Sequence, residues 1–168
     1  MLRVISRHEE RGLGLPYPVV LLNAAEEVMN DQGERVGVRI PDLEGLAAAV
    51  AVVRCLHPLQ LSGQEVRFIR RVLGFTQKEL ADSLEVSAPE TISRWENGAY
   101  SGGYTEKLLR TITLIKLKAR TPGVSAHHDV IVGLRLIKRD AAHLPEMLAE
   151  RVPVTDGARQ AWDLPMAA

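Results

Sequence analysis

The 168-residue chain has 46% hydrophobic and 25% charged residues and no net charge, a composition that excludes a disordered or fibrous protein. Cys55 is the only cysteine, which excludes an internal disulfide and a paired-cysteine zinc site and is typical of a reducing, cytoplasmic compartment. Charges occur throughout residues 1–11, so we expect neither a signal peptide nor a membrane span there.

Residues 1–57 predict a small N-terminal domain of two strands and a helix. After a charged arm, residues 18–23 form a short apolar run, and residues 34–40 alternate apolar and polar side chains with the period of a half-buried strand. These two runs predict a pair of antiparallel strands. The Ala-, Val- and Leu-rich stretch 43–55 then predicts a buried helix with Asp42 near its N-cap.

Residues 58–120 predict a helical domain, because one helix-start pattern recurs along it. In a Ser/Thr-x-x-Glu capping box, the hydroxyl accepts a hydrogen bond from the N3 amide and the glutamate accepts one from the N-cap amide. The last of the three boxes predicts a helix over 87–97 that ends at Asn97-Gly98, and with the helix before it this has the outline of a helix-turn-helix. The boxes are Ser62 with Glu65, Thr76 with Glu79, and Ser87 with Glu90.

Residues 121–168 predict a C-terminal extension with one helix and a mobile tail. The helix is expected over 140–150, with an apolar side made by Ala142, Leu144, Met147 and Leu148. No periodicity follows Pro153, which predicts the tail. The predicted fold class is therefore mainly α with a small α+β N-terminal unit.

The predicted helix over 87–97 has two different sides. Ile92 and Trp95 form an apolar stripe, and this spacing is more typical of core packing for Trp95 than of base stacking. The other side is polar and short-chained, which would let the helix approach base-pair edges in the major groove of DNA. The candidate DNA-contacting residues on this side and at the start of the preceding helix are Gln77, Lys78, Ser87, Ala88, Glu90, Thr91, Ser93 and Arg94.

These candidates have distinct chemical roles. Arg94 can donate to guanine O6 and N7, Thr91 can contact bases or a thymine methyl, and Glu90 can accept from cytosine unless capping occupies it. Gln77 and Lys78 are placed to bind phosphates together with backbone amides of their helix. Residues 60–120 contain ten Lys or Arg against seven Asp or Glu, a modest basic excess on the segment that carries the motif.

The segment Thr76-Gln-Lys-Glu-Leu-Ala-Asp-Ser-Leu84, with Thr91-Ile-Ser-Arg-Trp-Glu-Asn-Gly98, resembles the helix-turn-helix of the XRE family, which includes the lambda-type repressors. From Ala81 to Ile92 the chain is one residue longer than the common XRE pattern. That spacing, and the later Lys107-Leu-Leu-Arg110, is similar to the MqsA-type or YgiT-type antitoxins. The resemblance implies a lambda-repressor-like domain in a homodimer that binds a palindromic operator and represses transcription, often of its own operon.

The N-terminal part departs from that family pattern. MqsA-type antitoxins have an N-terminal zinc domain with paired Cys-x-x-Cys motifs, which this chain lacks, so we expect no metal and no cofactor. Residues 14–50 resemble a metal-free unit that occurs with some YgiT-type regulators. An alternative function is therefore an antitoxin or adaptor that neutralises a toxin or other protein partner through the N-terminal strands.

No residue set predicts an enzyme. Cys55 and His57 are more typical of ordinary packing than of a nucleophile with its base. His127-His128 beside Asp129 is more typical of a solvated surface pair than of a metal site, because adjacent side chains point in different directions.

Overall fold

The structure is a computed structural model that describes residues 2–99, 102–140, 145–154 and 160–165. Within these ranges the chain is mixed α/β, with a five-stranded sheet and six α-helices. The predicted fold class, mainly α with a lambda-repressor-like domain, is wrong, because the described residues combine the helices with five strands that form one sheet. None of the helices in these ranges is both long enough and apolar enough to cross a membrane.

The strands are β1 (Leu2–Glu10), β2 (Val19–Met29), β3 (Arg35–Arg39), β4 (Met147–Pro153) and β5 (Gln160–Asp163). The helices are α1 (Leu43–Leu56), α2 (Gly63–Leu73), α3 (Gln77–Ser83), α4 (Pro89–Arg94), α5 (Tyr104–Leu117) and α6 (Asp129–Gly133).

Strand β2 is the centre of the sheet. Along one edge it pairs antiparallel with β1, and the register of this pair shifts by one between Ile5 and Arg7, where β2 has one residue more than β1. Along its other edge, the second half pairs antiparallel with β3 and the first half pairs parallel with β4, which in turn pairs antiparallel with β5. The predicted runs 18–23 and 34–40 both fall on strands, but they do not pair with each other: β3 pairs with residues 26–29 of β2, beyond the predicted run.

Both ends of the chain contribute strands that were not predicted. Residues 2–10 form β1 and not a charged arm; the strand is exposed on most of its length and so has no clear apolar alternation. The predicted helix over 140–150 is wrong, since Met147 and Ala149 of β4 are buried with the period of a strand. Its Ala142 and Leu144 lie outside the described residues.

The predicted mobile tail is also wrong in part, because β5 lies within it. Trp162 of β5 is buried, and its indole Nε1 donates a hydrogen bond of 2.9 Å to the carbonyl of Asp42. The guanidinium of Arg151 on β4 lies 5.1 Å from the centre of the Trp162 ring. The β4–β5 hairpin therefore covers the start of α1. Residues 155–159 and 166–168 of the predicted tail lie outside the described residues.

Helix α1 is the buried helix predicted over 43–55. Asp42 is its N-cap, as predicted, and accepts a hydrogen bond of 3.0 Å from the amide of Gly45. Every residue from Ala48 to Cys55 is buried, because α1 is surrounded by the sheet, α2 and α5. Apart from Arg54, which is buried and paired with Glu65, this stretch is apolar on all sides, which fits such a central position.

Two of the three predicted capping boxes are present. Ser62 Oγ accepts from the amide of Glu65 at 3.2 Å while Glu65 Oε2 accepts from the amide of Ser62 at 2.6 Å, and Thr76 with Glu79 makes the same pair of bonds. The third box, Ser87 with Glu90, is wrong. Helix α4 has Ala88 as its N-cap, with no side-chain cap, and begins at Pro89, a residue that favours the first helical position because it lacks the N–H that would be unsatisfied there.

Candidate DNA-binding surface

Helices α3 and α4 are packed together and joined by a turn over residues 84–88. Leu80, Leu84 and Ile92 are buried where the two helices meet. At the end of α3, Glu85 has a φ of 53°, and the amide of Val86 donates to the carbonyl of Ala81 at 3.0 Å. This is the Schellman arrangement, which reverses the chain after a helix. The turn therefore fixes the angle between two short helices.

The outer side of α4 is polar, as predicted. Ser87, Glu90 and Arg94 are exposed, whereas Thr91 and Ser93 are half-buried. Within the described part of the chain, no hydrogen bond or ion pair engages the side chain of Glu90 or Arg94. Because the capping box at Ser87 is absent, the Glu90 carboxylate is accessible to solvent. Ala88, half-buried, is the N-cap at the start of this side.

The predicted helix over 87–97 is shorter in the structure. After Arg94 the chain continues as a single π-helical turn, Trp95–Ala99, and Gly98 has a φ of 107°. Asn97 closes this turn, because its Nδ2 donates to the carbonyl of Ser93 at 2.8 Å. Trp95 is half-buried and packs against the core, as its spacing from Ile92 predicted.

Glu96 is the buried centre of an ionic cluster that sequence reasoning missed. Its carboxylate accepts hydrogen bonds from Arg70 Nε at 2.5 Å, Gln77 Nε2 at 3.0 Å and Arg67 Nε at 3.3 Å. Burial alone would raise the pKa of Glu96, but the hydrogen bonds from Arg70 and Gln77 outweigh it and lower the pKa. One ionised carboxylate therefore joins α2, the start of α3 and the turn after α4.

The same turn requires a glycine on α2. A Cβ atom added to Gly63 would lie 2.2 Å from the carbonyl oxygen of Trp95 and 2.8 Å from that of Glu96. Real Cβ atoms do not approach backbone so closely, so any other residue would push the turn away. Gly63 therefore sets the distance between α2 and the end of α4, although the sequence shows it only as the residue after Ser62.

The two candidates at the start of α3 differ in their surroundings. The half-buried Gln77 gives one amide hydrogen to Glu96, which leaves the second hydrogen of its Nε2 for another acceptor. Lys78 is exposed and has no ion-pair partner among the described residues. Only one of the two side chains is thus held in a fixed position before any ligand binds.

Burial changes the charge that the surface presents. Three of the seven acidic residues in 60–120 are buried and paired with arginines: Glu65, Glu96 and Glu106. The four exposed acids are Glu79, Asp82, Glu85 and Glu90, all on α3, α4 or the turn between them. The basic charge on this helix pair is confined to Lys78 and Arg94, so its exposed charge is two positive against four negative, a net of −2. This charge opposes a general attraction to DNA phosphates, and binding here would have to come from specific contacts.

A second buried cluster fixes α2 on the N-terminal sheet. Glu65 accepts from Arg54 Nε at 2.5 Å, from Arg139 Nη1 at 2.6 Å and from the Tyr17 hydroxyl at 2.6 Å. Burial by itself would raise the pKa of Glu65, but the Arg54 guanidinium and these hydrogen bonds lower it to about 2. The carboxylate of the first capping box thus also connects α1, the segment before β2 and the C-terminal extension.

Arg110 on α5 also makes several buried hydrogen bonds that join separate parts of the fold. Its guanidinium donates to the carbonyls of Cys55 and His57 at 2.6 Å each, and to Glu106 Oε1 at 2.6 Å. Backbone carbonyls at the end of a helix need such partners when they are buried. The Arg110 of the Lys-Leu-Leu-Arg element therefore holds the end of α1, and the spacing of four between Glu106 and Arg110 was the only sequence signal for it.

The other residues considered for chemistry are placed as ordinary packing and surface groups. Cys55 is fully buried, and burial raises its pKa to about 11, which disfavours the thiolate. His128 Nε2 lies 3.2 Å from Asp129 Oδ1, and both side chains are exposed. Among the described residues, no group of three His, Cys, Asp or Glu side chains could hold a metal ion. Comparison of the chain with protein-family models, curated proteins and solved structures gives no match.

Proposed function

We propose that the chain is a transcriptional regulator that binds double-stranded DNA sequence-specifically, as a homodimer that represses from a palindromic operator. The observation that carries this proposal is the outer side of α4, where Glu90 and Arg94 are exposed, lack partners among the described residues and stand beside the short side chains of Thr91 and Ser93. An α-helix fits the major groove, and short side chains let its backbone come close to the bases.

The contacts at base edges follow from the chemistry of these side chains. Arg94 donates two hydrogen bonds to O6 and N7 of a guanine, and Glu90 accepts one from N4 of a cytosine. Thr91 and Ala88 offer methyl groups to a thymine. Two of these helices in a two-fold dimer enter major grooves about 34 Å apart, which gives half-sites one helical turn from each other.

Phosphate contacts come from α3 and set the register of α4. Lys78 supplies a free ammonium group, and Gln77 supplies the amide hydrogen that Glu96 leaves unused. Since Glu96 also binds Arg70 on α2, the phosphate-binding side chain and the end of α4 are fixed by the same carboxylate. Such preorganisation lowers the entropy lost when DNA is bound.

The test is the replacement of Arg94 by alanine, measured on two kinds of duplex. The operator is first selected from a pool of random duplexes with the wild-type chain. Arg94→Ala is expected to lose about 1–3 kcal/mol of binding free energy on that operator and little on a random duplex, with relaxed preference at one base pair. Arg35→Ala, an exposed arginine on β3, is the matched control and is expected to bind both duplexes as the wild type does. Equal losses on both duplexes for Arg94→Ala would refute base reading by this residue.

A further inference from the structure

Strand β1 has an open edge. It is nine residues long and pairs with β2 on one side, and in the described part of the chain no strand lies on its other side. Such an edge presents unpaired backbone N–H and C=O groups, and natural proteins usually protect it with proline, charged side chains, a bulge or a covering segment. Residues 2–10 contain no proline, and Leu2 and Val4 are 48% and 58% exposed. The four charged residues of the strand are two arginines and two glutamates, so their net charge is zero and does not repel a second copy. A long, uncovered edge of this kind indicates an interface.

We propose that β1 pairs antiparallel with β1 of a second copy of the chain, about a two-fold axis through Ser6, so that one sheet continues across a dimer. The inference rests on the proposed function only in assuming a homodimer, and it can be tested without DNA.

The register follows from backbone geometry and charge. Edge groups point outward at every second residue, so a strand can pair with its own copy only when the axis passes through a residue. The extra residue at the register shift beside Ser6 belongs to β2, where Asn23 has a φ of 49°, so β1 itself keeps this alternation. With the axis at Ser6, Arg3 lies opposite Glu9 of the second copy and Glu9 lies opposite Arg3 of that copy. Opposite charges directly across an antiparallel pair stabilise it, whereas like charges destabilise it. This register thus gains two favourable pairs.

The neighbouring registers are unfavourable. With the axis at Ile5, Arg3 would lie opposite Arg7 of the second copy, twice in the dimer. With the axis at Arg7, that arginine would lie opposite its own copy. Both registers place like charges directly across from each other. An axis at His8 would place Arg7 opposite Glu9, but it would pair only residues 6–10 of the strand. Charge and length together therefore favour the axis at Ser6, which uses all nine residues.

The charged groups are free to make these pairs. Arg3 has no ion-pair partner among the described residues. Glu9 is paired with Arg11 at 2.7 Å, but both side chains are largely exposed. An exposed pair of this kind contributes little, so Glu9 can exchange Arg11 for Arg3 of the second copy.

The remaining open edges suit a second copy less well. If β3 paired with itself about Gly37, Arg35 would lie opposite Arg39 of the second copy, with two like-charge pairs. Strand β5 is only four residues long. Among the strands that the structure describes, β1 is therefore the edge with both the length and the charge pattern for self-pairing.

The experiment is sedimentation equilibrium on the full chain without DNA. It compares the wild type with variants in which the charges of Arg3 and Glu9 are reversed, singly and together. We expect a dimer for the wild type, and a dimer dissociation constant raised about tenfold or more by Arg3→Glu and by Glu9→Arg, since each change places two like-charge pairs across the axis. The double variant restores two opposite pairs and is expected to return to within about threefold of the wild type. Lys118→Glu, an exposed residue in the 3-10 turn after α5, is the matched control and should leave the dimer unchanged.

The folding of each variant is checked before its dimer dissociation constant is interpreted. Arg3 also lies opposite Glu27 of β2, so circular dichroism and melting temperature are recorded for every variant, and Glu9→Arg, which faces Val20, gives the independent reading. A wild type that is monomeric at 100 times the concentration used for DNA binding, single variants that stay dimeric, or a double variant that does not recover would each overturn it. DNA binding is measured separately, so a dimer through another surface would leave the proposed function standing.

Discussion

The side-chain amide of Gln77 donates a hydrogen bond of 3.0 Å to the buried carboxylate of Glu96. This bond joins the start of α3 to the turn that follows α4, the two places from which DNA contacts are proposed. Arg70 binds the other oxygen of the same carboxylate. The geometry of the candidate surface therefore depends on one buried acid that contacts no DNA itself.

Replacing Glu96 by glutamine is expected to lower the free energy of unfolding by about 2 kcal/mol, since charged hydrogen bonds to Arg70 and Arg67 are weakened while the shape is kept. Urea denaturation measures this loss. The matched control is Glu90→Gln, an exposed carboxylate on α4, which we expect to change stability by less than about 0.5 kcal/mol. Equal stability of the two variants would contradict the central position given to Glu96.

The N-termini of α2 and α4 predict different effects of the same substitution. Ser62→Ala removes a side-chain cap and should cost about 1 kcal/mol of stability. Ser87→Ala removes no cap, because Ala88 and Pro89 begin α4, so its stability should stay within about 0.5 kcal/mol of the wild type. Thermal melting of both variants checks this. A loss of stability for Ser87→Ala as large as that for Ser62→Ala would contradict the absence of a capping box at Ser87.

Lys78→Ala should weaken binding to the operator and to random duplexes by the same factor. A phosphate contact carries no sequence information, and its loss reduces the slope of log K against log salt concentration by about 1 for each lysine removed. Titrations at several salt concentrations give that slope. Lys118→Ala, an exposed lysine in the 3-10 turn after α5, is the control with an unchanged slope. A loss for Lys78→Ala on the operator alone would instead assign the lysine to base reading.

The lowered pKa of Glu65 makes stability depend on pH. A carboxyl with a pKa of about 2 in the folded chain and 4.5 in the unfolded chain stabilises the fold above pH 4.5. This contribution is lost as pH falls from 4.5 towards 2, because the unfolded chain then takes up the proton first. Denaturation at pH 7 and pH 3 should show the loss in the wild type.

Glu65→Gln isolates this group from other carboxylates. The variant leaves Arg54 buried without its charged partner and should lose about 3–5 kcal/mol at pH 7, as expected when one member of a buried ion pair is removed. Its further loss between pH 7 and pH 3 should be smaller than that of the wild type. An identical pH dependence in both chains would show that Glu65 is not the titrating group.

Local chemistry made some of the fold predictable from sequence. The caps at Ser62 and Thr76 depend on residues three apart and were predicted correctly. The strand over 34–40 was also predicted from neighbouring residues, but its burial does not alternate as expected, since Val36 is 61% exposed. The error at Ser87 was local as well, because Pro89 favours the first helical position and moves the cap to Ala88.

The missed features depend on residues that are distant in sequence. Strand β4 forms because Met147 pairs with Val19, and no pattern within 140–150 reveals a partner so far away. Its helix-forming residues are overruled by that pairing. At the candidate site, the exposure of Arg94 and Glu90 was predictable from helical spacing, but the cluster around Glu96 was not, since Arg67, Arg70 and Gln77 reach it from two other helices.

The most direct test of the proposed function is protection of the DNA upstream of the chain's own gene, titrated with salt and with random competitor duplex. A regulator that reads bases through α4 is expected to protect a palindrome with half-sites about one helical turn apart, and the protection should survive competitor and disappear with Arg94→Ala. Uniform binding that competitor removes, or no binding at all, would contradict sequence-specific DNA recognition by this surface.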